Sequence, residues 1–326
     1  MKASRAPSVA LALALAAGSL VAACASRTVS QSHLVSRDRS PRLEDAFDRE
    51  PALLVVIRPQ RLTRDPLYGP LLRRASQLAS ARVAVAEAVG TTALAALERT
   101  EEVIVGAYDA DARDAVIALR GVPADVEAPR VLDTNGKPLW AHANDLPGGV
   151  EEFAPADPSA NAVLFVLPRR AWVVAVGGAV ARSRAAFGEV TPRTLSSFRA
   201  VEDAPLIVAR LRGAALLRAR PALADGPLAP LVRDLDLASA SLEPGPEGAV
   251  GEVVARLEYG DLPFAERAEA CASDVLAAFT RKYEAEAPWL HAVKVTRIER
   301  AVLVRGRIPR AWTDGLLHVD LDDFAK

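Results

Sequence analysis

Cysteine is nearly missing from this chain, with only Cys24 and Cys271 in 326 residues. That excludes a scaffold built on several disulfides. Histidine is almost as scarce, at four residues, and none stands in a His-Glu-x-x-His pattern. The chain also lacks a Cys-x-x-Cys pair, a Gly-x-Ser-x-Gly elbow and a Walker loop. These are the signatures of zinc, thiol-redox, serine-hydrolase and nucleotide chemistry, so no cofactor or metal is called for. Neither sign of charge is in excess, the net charge being −1. Without a basic field, nothing in the composition draws nucleic acid. Lysine is rare beside arginine, and the arginines are scattered rather than gathered into a site. Apolar surface is what the chain has in quantity, with 51% hydrophobic against 25% charged residues. Those are the proportions of a folded, soluble body, and the length suits one large domain or two small ones.

One long apolar run is present. Basic residues Lys2 and Arg5 precede it, and it extends over 9–23, broken only by Gly18-Ser19. A membrane span needs about 20 apolar residues, so the run is short for an uncleaved anchor and fits an export signal. It ends Leu20-Val21-Ala22-Ala23-Cys24. An aliphatic residue, two small residues and a cysteine resemble the lipobox of bacterial lipoproteins. The resemblance covers residues 1–24 alone. It implies cleavage before Cys24, a diacylglyceryl group on its thiol and membrane lipid as the partner that holds the protein. Two or more acyl chains anchor a protein stably. Position 25 is Ala rather than Asp, which by the same resemblance favours the outer membrane, facing the periplasm. An ordinary signal cut near Ala23 is the alternative. Loss of Lys2 and Arg5 with the signal takes the net charge to −3.

The expected organisation is a signal over 1–23, a lipidated Cys24 with a disordered polar tether to residue 50, and two units over 51–192 and 200–326. As a flexible coil the tether spans roughly 25–30 Å. The units read as α+β, each a mostly antiparallel sheet with helices on one face, and as an internal duplication. Leu54-Val55-Val56-Ile57 opens the first and Leu206-Ile207-Val208-Ala209 the second, each running on into Arg58 or Arg210. Pro-Leu-rich helix starts follow at 66–73 and 227–233, proline being welcome in a first helical turn. Next come two hairpins, 102–108 with 115–121 and 237–242 with 249–259, joined by turn-rich connectors. Each half closes with a second strand pair, 162–167 with 171–176 and 292–298 with 301–307, and a helix. The first half inserts a Pro/Gly-rich stretch over 123–159. The second has an amphipathic helix over 263–283. Phe264, Ala268, Cys271, Val275 and Ala278 share one face of it, so Cys271 reads as a small core residue.

Few residues invite chemistry. Trp140, His142 and Asn144 alternate, which in a strand puts an aromatic ring, an imidazole and an amide on one face, with Asp145 beside them. They form a candidate face for a small polar ligand, and the alternative function, an envelope hydrolase with a cryptic site, centres there. Asp109, Asp111 and Asp114 mimic a calcium loop, but its sixth position is Asp114 rather than Gly and its twelfth is Arg120 rather than Glu. Gly177-Gly178 before a helix resembles a phosphate-binding turn but lacks the third glycine and a Lys-Ser/Thr. Both read as structural turns. The expectation for the whole is a lipid-anchored, non-catalytic binding or scaffold module.

Overall fold

The computed structural model describes residues 41–66, 68–70, 99–109, 113–132, 136–188, 205–244, 250–285 and 287–310. The expected signal, Cys24, tether residues 25–40 and most of the helix expected to start at 66–73 lie outside them. So do Asp111 and the expected C-terminal helix beyond residue 310. The fold is α+β, with twelve strands and five α-helices among the described residues. These fall into two compact units, one of residues 41–64 and 99–188, the other of 65–70 and 205–310.

The first unit holds seven strands: β1 (Leu53–Ile57), β2 (Glu102–Ala107), β3 (Ala115–Arg120), β4 (Trp140–Leu146), β5 (Val150–Pro155), β6 (Ala162–Leu167) and β7 (Ala171–Val176). Their order is β1-β2-β3-β7-β6-β5-β4, antiparallel at each contact. Helix α1 (Pro59–Arg64) follows β1, and α2 (Gly178–Gly188) follows β7. β6 and β7 read as continuous apolar runs because both faces of the sheet are covered. On one face lie α2 and a 3-10 turn, Leu43–Ala46. Phe165 of β6 meets Phe187 of α2 at 5.0 Å between ring centroids. Gly106 on the same face leaves room for Phe47, whose Cε1 would lie 2.7 Å from an added Cβ. The other face packs Trp140, Phe153, Leu164 and Trp172 under Val122, Ala128 and Val131. The folded body thus starts earlier than expected, since Leu43, Ala46 and Phe47 are buried. Their polar neighbours mask three inward-facing apolar side chains.

The second unit contains β8 (Ile207–Arg212), β9 (Leu235–Glu243), β10 (Val250–Tyr259), β11 (Lys294–Ile298) and β12 (Ala301–Pro309). Their order is β8-β9-β10-β12-β11, again antiparallel. Between strands come α3 (Gly213–Ala219), α4 (Ala229–Val232) and α5 (Leu262–Lys282). The Asp261 carboxylate accepts from the Leu262 N–H at the start of α5, and Arg281 and Lys282 complement the dipole at its end. α5 lays Ala265, Ala268 and Ala272 against Leu257 and Val302 of the sheet. Cys271 sits half-buried at the rim of this core, its thiol 3.5 Å from the Pro227 carbonyl. Burial first, then the charge of Asp274, pushes the thiol pKa up. Ala278, expected on the apolar face, is exposed.

Candidate functional site

The expected ligand face sits on β4, the outermost strand of its sheet. β4 faces β5 in the pairs Trp140–Pro155 and His142–Phe153, but then slips, so that Asn144 pairs with Glu152. Such a bulge adds one residue and reverses the alternation beyond it. Trp140 and His142 therefore share the Phe153 side, while Asn144 goes to the Glu152 side. This corrects the expectation of one common face, which rested on unbroken alternation. Asp145 opposite Glu151 returns to the side of His142. Trp140 itself is buried core. His142 lies edge-on to Phe153, 5.4 Å between ring centroids, and its Nε2 is 3.1 Å from Asp145 Oδ1. The two side chains are 48% and 82% exposed, so solvent screens the pair and it holds the ring only loosely. A carboxylate that orients an imidazole is part of a hydrolytic triad. Among the described residues His142 has no hydroxyl or thiol partner to complete one.

Three polar clusters in the same unit were not legible from sequence, because their members are far apart along the chain. The first surrounds Tyr108, whose ring lies under the guanidinium groups of Arg49 and Arg182 at 4.7 and 4.8 Å. Arg182 reaches Asp48 at 3.0 Å and Asp114 at 2.6 Å, and Arg49 reaches Asp114 at 2.9 Å. Two cations and two anions close the cluster to neutrality. Burial, then the Asp48 charge, pushes the Tyr108 phenol far above its usual range. The calcium-like turn is explained here. Asp109 accepts from the Arg113 N–H, and Asp114 is committed to two arginines. The phosphate-like turn is explained too. A Cβ added at Gly178, first residue of α2, would lie 3.3 Å from the Asp114 carboxylate, which occupies the place of an anion.

The second cluster is Glu152, at an inward position of β5 and 2% exposed. Its Oε1 accepts from Arg184 Nε at 3.0 Å and Nη2 at 2.5 Å, which raises the Arg184 pKa. Its Oε2 is buried without a hydrogen bond among the described residues. The third is a ladder of alternating charge, Arg58–Glu102–Arg120–Glu44. No group of three or more metal-ligating side chains occurs among the described residues. The carboxylates of all three clusters are taken up by guanidinium groups, an arrangement that fastens elements together. Comparison with family models, with curated proteins and with solved structures returns no match.

Proposed function

We propose that this chain is an envelope lipoprotein, held by acylated Cys24 on the periplasmic side of the outer membrane. Its folded part serves as a non-catalytic binding or scaffold module made of two copies of one α+β unit. The observation that carries the anchor is the string Leu20-Val21-Ala22-Ala23-Cys24 after an apolar run with a basic start. Strand order supports the duplication. In each unit three strands meander, then a hairpin returns its second strand beside the third: β1-β2-β3-β7-β6 and β8-β9-β10-β12-β11. The same fastening recurs at each hairpin. The Val122 N–H donates to the Arg170 carbonyl, and the Tyr259 N–H to the Arg300 carbonyl, both at 3.0 Å. Arg170-Ala171 and Arg300-Ala301 are the dipeptides that match in sequence. On this reading β4 and β5 are an addition at the edge of the first copy. The scaffold role is favoured by polar clusters spent on internal ties. The hydrolase reading keeps the His142–Asp145 pair in its favour.

Radiolabelled palmitate and fractionation test the anchor. Cys24→Ala should abolish labelling and release the protein from the membrane fraction. Labelling unchanged in that variant refutes the anchor.

A further inference from the structure

We infer that the β6–β7 turn, residues 168–170, is a contact surface for anionic phospholipid headgroups; the inference rests on the lipid anchor proposed above. Arg169 and Arg170 in this turn both have left-handed backbone, with φ of 63° and 60°. Left-handed backbone favours Gly and Asn, because a larger side chain there crowds its own carbonyl. Arginine at both places is the less comfortable choice. Both side chains are exposed, and among the described residues neither has a partner. Other arginines at this end of the sheet are engaged, Arg58 and Arg120 by Glu102, and Arg99 by Asp125. Backbone strain held at two outward, unpaired charges points to a use outside the unit.

The surroundings indicate the partner. A Cβ added at Gly149 would lie 3.6 Å from the Pro168 ring, so the β4–β5 turn touches the arginine turn. Gly148, at φ 75°, presses on Pro41, whose Cδ would lie 2.5 Å from an added Cβ. Pro41 is where the chain arrives from Cys24, and sixteen residues lie between them. That length reaches at most about 60 Å fully extended. A lipid on Cys24 therefore brings the two guanidinium groups to the bilayer surface at an effective concentration on the order of millimolar. Guanidinium forks match phosphate oxygens, and a convex turn needs no groove to meet a fluid surface.

The test uses the lipidated chain on vesicles of phosphatidylcholine, with or without phosphatidylglycerol, and follows amide hydrogen exchange in peptides covering 165–172. Each basic residue strengthens contact with an anionic surface about five-fold, so the pair contributes about 25-fold. Exchange should slow several-fold on the anionic vesicles only and recover in high salt. Arg169→Asn/Arg170→Gly keeps the turn, suits its backbone and should abolish the protection. Equal exchange on both vesicles, or protection that survives the double substitution, overturns the inference. The mass of the N-terminal peptide, read on the same preparation, separates the two failures. An unacylated Cys24 removes the anchor and the inference with it, whereas an acylated chain without protection removes the inference alone.

Discussion

Tyr68 and Tyr259 are buried and Tyr108 is half-buried, and their hydroxyls differ in one hydrogen bond. The Tyr259 hydroxyl donates to the Leu231 carbonyl at 3.0 Å, whereas those of Tyr68 and Tyr108 have no partner among the described residues. Tyr259→Phe should therefore cost about 1 kcal/mol in urea unfolding, while Tyr68→Phe and Tyr108→Phe should be neutral or stabilising. Burial pushes all three phenols above their usual range. A raised folded pKa keeps the proton in the native state after the unfolded chain has lost it. This contribution is whole below about pH 10, the ordinary tyrosine value, and is lost as pH rises through the folded pKa. Each pH unit above 10 should cost up to about 1.4 kcal/mol per tyrosine. Denaturation midpoints that stay flat from pH 9 to 12 contradict this account of their burial. Sequence shows these tyrosines but not which hydroxyl finds a carbonyl, because Leu231 lies 28 residues from Tyr259.

At the scale of elements, α5 was legible and its rotation was not. Three-four spacing locates the helix within a residue of Leu262–Lys282, but it offers two adjacent faces. Packing chooses the one with Ala265, Ala268 and Ala272, whose small side chains let the helix lie close to the sheet. Phe264 stays at the rim beneath Arg267, 4.8 Å from ring centroid to guanidinium. Ala268→Leu should therefore cost about 1–3 kcal/mol by overpacking, and Ala278→Leu should change stability little. Equal effects at the two positions place the buried face elsewhere. β4 failed in the opposite way. Its alternation was legible, but the slip after His142 depends on pairing with β5 and leaves no mark in the chain itself. The candidate face was lost at that bulge.

For the whole molecule, the strand pairs and the α+β class could be read because each strand carries its own apolar pattern and each connector its turn residues. The ion clusters could not, since Arg182 and Asp48 are separated by 134 positions and Arg49 and Asp114 by 65. Nor could the early start of the first unit, where Phe47 enters the core from a polar stretch. The proposed function joins an anchor written in residues 20–24 to a folded part whose charges are largely tied internally. The anchor can be tested without any knowledge of a ligand. Trypsin should release the mature N-terminus as Cys24-Ala25-Ser26-Arg27. Mass spectrometry of this peptide should find a diacylglyceryl group on the thiol and an acyl chain on the amine or a free amine. A mature chain that begins at another residue, or an unmodified Cys24, contradicts the account.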